Sequence, residues 1–161
     1  MPQVPLVNKA GAVVATAIVD ECDLALVSQT CWFRSVAGYA CKSRRENGAM
    51  RILLMHRLIL GLPELSDGRE GDHVNRDKLD NRRSNLRITT RAENAQNQPR
   101  HKSNRSQYRG VQWDASSNRW QARCTLNGHR YNIGRFRDEL AAAKAASAWR
   151  LTHMPFSVEA A

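Results

Sequence analysis

An aspartate and a histidine are adjacent at Asp72 and His73, and Asn94 lies further along the same polar, charge-dense segment, residues 67–98. On a strand, neighbouring side chains point to opposite faces, so Asp72 can ligate a metal while His73 performs a separate task. A neutral imidazole accepts a proton from water near neutral pH, and carboxylate and amide oxygens suit Mg²⁺ or Mn²⁺ better than zinc. These residue types therefore suit metal-assisted hydrolysis of a phosphodiester. On its own, an Asp-His pair is weak evidence, because a buried structural histidine gives the same pattern.

The residues around this pair resemble a known catalytic motif. Residues 72–98, DHVNRDKLDNRRSNLRITTRAENAQNQ, are similar to the ββα-metal motif of HNH endonucleases, in the phage and intron-homing branch whose last histidine is replaced by asparagine. Residues 55–59, residues 18–23 and Trp32 also resemble the part that precedes the motif in that branch, so the resemblance covers roughly residues 10–98. It implies a metal-dependent phosphodiester hydrolase that acts on double-stranded DNA.

The resemblance assigns roles to four residues. Asp72 matches the carboxylate metal ligand, and His73 matches the general base. Asn85 matches the middle asparagine, which fixes the loop between the two strands and so orients the base. Asn94 matches the second metal ligand, on the helix that follows. With asparagine in the last position the site offers fewer nitrogen ligands, which favours Mg²⁺ over zinc, with Mn²⁺ as the alternative metal.

Other polar residues of the segment carry less specific expectations. Asp80 and Asn81 are interpreted as turn-forming residues without a catalytic role, because Asx side chains bond their own backbone in tight loops. His56 is expected to pack against the motif from behind. The basic side chains either contact phosphates or form a solvated face: Arg76, Lys78, Arg82, Arg83 and Arg87.

Local patterns predict the elements that must position these residues. Asn47-Gly48 between two apolar stretches indicates a hairpin, since both residues tolerate positive φ. For the first half of the chain we predict a strand over 12–19, a helix over 22–29, strands over 32–42 and 49–55, and a helix over 56–62. The expected fold class is α+β, with an N-terminal ββα-metal HNH nuclease domain.

Composition and charge narrow the class of protein. The chain has 161 residues and a formal net charge of +10, which excludes a large Rossmann or barrel enzyme and favours a nucleic-acid partner. No apolar run approaches the roughly 20 residues of a membrane-spanning helix, and the first residues do not resemble a secretory signal. Four dispersed cysteines without a CxxC pair fit reduced thiols. We therefore expect an intracellular protein that is not secreted and contacts no membrane, in the bacterial cytoplasm if a phage encodes it.

The distribution of charge predicts two domains. Residues 1–98 carry a net charge of +3, and residues 99–161 carry +7. Between them, residues 96–107 contain no apolar side chain and so cannot contribute to a core. We therefore predict a nuclease domain over 1–98, an exposed basic linker over 99–107 and a DNA-binding domain over 108–161.

Beyond the linker the hydrophobic period changes to two. Trp120, Ala122 and Cys124 alternate with polar residues, which is typical of a strand with one buried face. We predict strands over 108–114, 120–126 and 129–136 and an Ala-rich helix over 140–151, capped by Asp138 and Glu139. The result is a three-stranded antiparallel sheet packed on one helix. Its expected core consists of Val111, Trp113, Trp120, Ala122, Cys124, Ile133, Phe136 and Trp149.

The opposite face of this sheet is polar, so it is either an ordinary wet surface or a surface that enters the DNA major groove, where Arg contacts guanine and Asn or Gln contacts adenine. Residues 108–111, 120–122 and 133–136, followed by the Ala-rich helix, resemble the plant ethylene-response-factor (Apetala-type) DNA-binding domain. In that family the sheet docks in the major groove. Arg109 and Arg130 match its DNA-contacting arginines, but other positions differ, so its GC-rich target is not implied. The candidate DNA-binding residues are Arg109, Gln112, Arg119, Gln121, Arg123, Arg130, Asn132 and Arg135.

Taken together, the sequence predicts a homing-type HNH endonuclease that nicks or cuts double-stranded DNA and is targeted by its C-terminal module. The alternative is a non-catalytic, sequence-specific DNA-binding regulator with a degenerate nuclease domain. Both a monomer and a homodimer remain open, and no obligatory protein partner is inferred.

Overall fold

The computed structural model describes residues 1–63, 67–100 and 104–158. It is a mixed α+β structure with two compact units, Met1–Arg91 and Ala92–Ala161. Residues 64–66 of the expected nuclease domain, 101–103 of the expected linker and 159–161 of the expected DNA-binding domain lie outside the described residues. Asn94 belongs to the second unit, whereas Asp72, His73 and Asn85 belong to the first.

The described residues of the first unit form three antiparallel sheets. Its elements are β1 (Gln3–Val7), β2 (Val13–Ile18), α1 (Glu21–Val27), β3 (Phe33–Arg34), β4 (Ala40–Glu46), β5 (Ala49–Leu54), α2 (Met55–Ile59), β6 (Arg69–His73) and β7 (Leu86–Thr90). Strand β1 pairs with β2, β4 lies between β3 and β5, and β6 pairs with β7. The turn between β4 and β5 is the expected Asn47-Gly48 pair, with φ of 50° and 78°.

Two features of this unit differ from the sequence-based expectation. The single strand predicted over 32–42 is wrong: it is broken into β3 and β4 by a turn in which the Ser35 amide donates to the Tyr39 carbonyl at 2.9 Å. Gly38 lies in that turn with φ of +92°, a conformation that interrupts a strand. Strand β1 was not expected, because its proline, Pro5, disfavours strand assignment.

The core of the first unit supports the segment that carries the candidate site. Trp32 is fully buried, and its indole donates to the Val27 carbonyl at 2.7 Å. At the end of β2, the Ile18 amide donates to the Leu79 carbonyl and the Ile18 carbonyl accepts from the Asn81 amide, both at 2.8 Å. The loop between β6 and β7 is therefore attached to a strand that is anchored in the core.

The second unit has the predicted sheet and helix. It contains α3 (Arg91–Gln96), which begins at the unit boundary, then β8 (Val111–Asp114), β9 (Arg119–Leu126), β10 (His129–Phe136) and α4 (Glu139–His153). The antiparallel order is β10-β9-β8, with α4 packed on one face. Asp138 caps α4, since its carboxylate accepts from the Ala141 amide at 2.8 Å. Small side chains on α4, Ala142 and Ala146, are fully buried against the sheet.

Three details of the second unit correct the sequence-based expectation. Strand β8 begins at Val111 and not at residue 108, because Gly110 has φ of +78°. Trp113 was expected in the core but is only partly buried, and it packs edge-on against Trp120 with ring centroids 5.1 Å apart. Ser106 was expected in an exposed linker, but it is fully buried and donates to a Glu139 carboxylate oxygen at 2.7 Å.

Two general properties of the described residues bear on the expected class of protein. None of their helices is long and apolar enough to cross a membrane. The four cysteines are all thiols, of which Cys41 and Cys124 are buried and Cys22 and Cys31 are exposed.

Candidate active site

The candidate site is built on the antiparallel pair β6–β7. In this register Asp72 lies opposite Arg87 and His73 lies opposite Leu86. Both Nε and Nη2 of Arg87 donate to Oδ2 of Asp72, at 2.9 and 2.7 Å. Because both side chains are largely buried, this charge-assisted pair fixes the Asp72 carboxylate at a defined position on the strand.

His73 is buried, with 4% of its surface exposed, and its ring is held on one side by Asn81. Oδ1 of Asn81 lies 3.4 Å from Nε2 of His73. An amide oxygen can only accept, so in this orientation Nε2 carries the proton and Nδ1 is the basic nitrogen. Burial lowers the pKa of His73, while the Asn81 contact and nearby carboxylates, first Asp72, act to raise it. The net lowering of the pKa keeps His73 neutral near pH 7, as a general base requires.

Two aromatic rings complete the surroundings of His73. The ring centroid of His56 lies 4.8 Å from that of His73 in an edge arrangement, and Tyr39 lies 5.9 Å away. Burial, and then the charges of His73 and Arg57, lower the pKa of His56 to about 3, so His56 is neutral and packs as an aromatic ring. A Cβ on Gly71 would lie 2.5 Å from Cδ2 of His56, so only glycine allows β6 to approach this ring.

Asn85 ties together the loop that connects β6 to β7. Its Oδ1 accepts from the Asn75 amide at 2.9 Å, and its Nδ2 donates to the Asp80 carbonyl at 2.7 Å. The Asn85 carbonyl also accepts from the Val74 amide at 2.8 Å. These bonds join Asn85 to the residues that follow His73 and to the residue that precedes Asn81. They therefore restrict the backbone next to both of these side chains.

Acidic partners within the first unit hold several of the basic side chains near the site. Arg82 forms two hydrogen bonds with the Asp80 carboxylate, and Arg83 does the same with Asp23. Ion pairs within the first unit therefore hold these two arginines against the loop. Asp80 also accepts from the Asn75 side chain at 2.9 Å, so its role extends beyond a local turn.

Asn94, the second expected metal ligand, lies on α3, directly after β7 in the sequence. Helix α3 is attached within the second unit through Gln96, whose carbonyl accepts from Arg109 at 2.7 Å and whose side chain accepts from the Phe156 amide at 3.2 Å. Asp72 and Asn94 provide carboxylate and amide oxygens, the donor types that Mg²⁺ and Mn²⁺ prefer. No cluster of three or more His, Cys, Asp or Glu side chains suited to a metal occurs among the described residues.

The candidate DNA-binding residues lie mainly on the sheet face opposite α4. The register pairs Arg130 with Thr125, Asn132 with Arg123, and Gln112 with Gln121. Hydrogen bonds join three of these side chains across the strands: Gln112 donates to Gln121 at 2.9 Å, and Gln121 donates to Asn132 at 3.2 Å. Arg135 donates to the Asp114 carboxylate at 2.9 Å, and Arg119 lies opposite Asp114.

Arg109 does not belong to these cross-strand pairs on the sheet face. Its guanidinium donates to the Gln96 carbonyl at 2.7 Å and to the Ser157 hydroxyl at 2.9 Å. It is thus also a structural link between α3 and the C-terminal part of the second unit.

Sequence reasoning did not anticipate the contacts of Asn81, Tyr39 and Arg87 with the candidate site. Asn81 was interpreted as a turn residue because an Asn that follows an Asp in a loop shows the same pattern whether or not it reaches a buried ring. Arg87 would have been found from the alternation of β7 only if the register with β6 had been known.

Comparison with known proteins supports part of this picture. Residues 63–96 match the HNH endonuclease family model. No curated protein and no solved structure matches the chain significantly. The matched residues contain β6, the loop held by Asn85, β7 and α3, and thus Asp72, His73, Asn85 and Asn94. HNH domains generally use a divalent metal, which agrees with the oxygen donors of Asp72 and Asn94. Residues 63–96 of this chain therefore form an HNH endonuclease domain.

Proposed function

We propose that this protein is a DNA endonuclease that hydrolyses phosphodiester bonds with His73 as the general base. The observation that carries the proposal is the environment of His73: a buried, neutral imidazole beside Asp72, with its Nε2 held by Asn81. Arg87 holds the Asp72 carboxylate, so a candidate general base and a candidate metal ligand occupy adjacent positions of β6.

In this mechanism, Nδ1 of His73 takes a proton from the attacking water while Asn81 keeps the ring oriented. Asp72 and Asn94 would hold one divalent cation, Mg²⁺ or alternatively Mn²⁺. When bound, such a cation polarises the phosphodiester and stabilises the departing 3′ oxygen. Arg87 fixes the Asp72 carboxylate, and Asn85 restricts the loop so that the imidazole does not need to reorient during the reaction.

Residues 108–161 are the proposed targeting module of the enzyme. The polar face of β8–β10 carries arginine and amide side chains in cross-strand rows, and such side chains can contact base edges in the major groove. The resemblance to Apetala-type domains supports this docking mode. In our proposal the domains are the nuclease over 1–98, a linker over 99–107 and the DNA-binding domain over 108–161.

A homing role is the most specific part of the proposal. It rests on the resemblance to the phage and intron-homing branch, in which asparagine takes the last motif position, as Asn94 does here. One site of this kind cuts one strand per visit, so a monomer would nick DNA and a homodimer would cut both strands. Mapping the cleaved ends in a long phage DNA by sequencing would distinguish a single site from random cleavage.

The central test is incubation of supercoiled plasmid carrying the preferred site with the full chain, in Mg²⁺ or in EDTA. We expect nicked or linear plasmid in Mg²⁺ only, and no product from His73→Gln. His129→Gln is the matched control, because His129 is exposed and lies outside the candidate site and the proposed DNA-binding set. If wild-type protein binds DNA but leaves it intact in both Mg²⁺ and Mn²⁺, the chain is instead a non-catalytic DNA-binding regulator.

A further inference from the structure

A cavity of about 550 Å³ lies within the second unit, at the end of the sheet where Gly110 bonds to β9. Its volume falls within the range of small-ligand sites, about 300 to 1,000 Å³. Four arginines line it, and none of the described lining residues is acidic: Arg100, Arg109, Arg123 and Arg150. Asn104, Gln112 and Thr125 add polar groups to the wall.

Positive charge is concentrated around this cavity. Arg150 is 4% exposed, so its guanidinium belongs to the buried part of the cavity wall. Burial, followed by the charge of Arg130, lowers the pKa of Arg123. A guanidinium binds phosphate oxygens through paired hydrogen bonds, so phosphate is the anion that this lining suits.

The walls of the cavity are held in place before any ligand arrives. Nη1 of Arg150 donates to the Arg109 carbonyl at 2.9 Å, while the Arg109 guanidinium is held by Gln96 and Ser157. A Cβ at Gly110 would lie 2.8 Å from the Arg123 carbonyl oxygen and 2.9 Å from Nη1 of Arg150. Glycine therefore permits the close approach of Arg150 to the backbone that forms the cavity wall.

We propose that this cavity is a phosphate-binding site, occupied either by a backbone phosphate of a nucleic acid or by the phosphate of a free nucleotide. Both ligands contain a phosphate group, which the arginine guanidinium groups would bind through paired hydrogen bonds. The rest of the ligand would lie along the apolar wall formed by Val111 and Met154. This inference does not depend on DNA cleavage, because a protein without nuclease activity could still bind phosphate here.

The first experiment measures phosphate binding directly. Inorganic phosphate is titrated into the full chain at constant ionic strength. Binding is measured by calorimetry and by the change in the NMR chemical shift of the Gly110 amide. We expect saturable binding that Arg100→Gln and Arg123→Gln each weaken about tenfold, the loss for one charged hydrogen bond. Arg100 is exposed, so we expect its replacement to leave the fold intact. Arg137→Gln is the matched control, because Arg137 is an exposed arginine of the same unit outside the cavity, and it should change the affinity less than twofold.

A second experiment identifies the source of the phosphate. If the site holds a DNA backbone phosphate, Arg100→Gln lowers the salt-dependence slope of duplex binding by about one, and inorganic phosphate competes with the duplex. If it holds a nucleotide, thymidine 5′-monophosphate binds more tightly than inorganic phosphate and the duplex slope is unchanged. The proposal is overturned if phosphate binding does not saturate, or if Arg137→Gln weakens it as much as Arg100→Gln does.

Discussion

The protonation state of His73, the proposed general base, depends on its neighbours in the fold. Burial lowers its pKa, and the facing Asn81 oxygen determines which ring nitrogen carries the proton. The sequence motif contains both residues, but only the folded loop brings them together. Asn81 is fully buried, and its Nδ2 has no hydrogen-bond partner among the described residues, so the contact with His73 is the one its side chain makes there.

The first prediction tests Asn81 as a positioning residue. Asn81→Ala removes the acceptor at Nε2, so the imidazole can turn or adopt the other tautomer. We expect the single-turnover cleavage rate to fall about 10- to 100-fold, the range for partners that orient a functional histidine. DNA affinity, measured by fluorescence anisotropy, should not change, because Asn81 is buried beneath the surface.

The pH dependence of Asn81→Asp distinguishes positioning from simple packing. The carboxylate keeps an acceptor at the same place and favours the protonated imidazole, which raises the pKa of His73. Because the neutral form is the active base, the acidic limb of the rate profile should move to higher pH. A rate and pH profile identical to wild type in both variants would contradict the positioning role.

The second prediction concerns His56 and stability in acid. Its folded pKa of about 3 lies below the ordinary value of 6.5, so the unfolded chain binds a proton that the folded chain excludes. Stability is therefore fully present above about pH 6.5 and decreases, by up to about 1.4 kcal/mol per pH unit, as the pH falls toward 3. His56→Phe keeps a ring in place without a titrating group, so urea unfolding should show a shallower loss between pH 6.5 and 4. An equally steep loss would assign the acid sensitivity to other groups.

At the scale of elements, local signals predicted most of what the structure contains. Asn47-Gly48 forms the expected hairpin turn, with φ of 50° and 78°, and the Asp138 cap starts α4 where expected. Local patterns were insufficient where one residue interrupts an element, as Gly38 does between β3 and β4. Local patterns also do not predict which distant strands pair, so they could not predict the contact of Arg87 with Asp72.

The third prediction tests the packing of β6 on α2. A Cβ at Gly71 would lie 2.5 Å from Cδ2 of the buried His56 and 3.1 Å from Cδ1 of the partly buried Leu60. Gly71→Ala should therefore destabilise the protein by about 1 to 3 kcal/mol in urea unfolding, the usual cost of overpacking. Because the added methyl group meets the His56 ring, the double variant with His56→Ala should cost less than the sum of the two single variants. Strict additivity would mean that Gly71 and His56 are not in contact.

At the scale of the whole molecule, the chain divides into two units after Arg91, and the net charge is +4 over residues 1–91 and +6 over residues 92–161. Helix α3 belongs almost entirely to the second unit and is attached there by Arg109 and Phe156. Deleting residues 99–161 would thus remove the partners of the helix that carries Asn94. Such a truncation would combine loss of targeting with damage to the candidate metal site, so point substitutions are the sharper test of targeting.

The fourth prediction separates targeting from catalysis with such substitutions. Arg130→Gln and Asn132→Ala change exposed side chains on the polar face of β10, while Lys144→Gln removes a comparable charge from an exposed position of α4. If the sheet face contacts DNA, each face variant should weaken binding by about 1 to 3 kcal/mol and raise KM accordingly. The value of kcat at saturating DNA should stay close to wild type, because His73 and Asp72 are unaltered.

Lys144→Gln should leave both constants near wild type, since α4 packs on the opposite side of the sheet. If the face variants lower kcat without changing KM, the sheet face acts on the cleavage step. If Lys144→Gln weakens binding as much as the face variants do, the sheet face contributes only general electrostatic attraction.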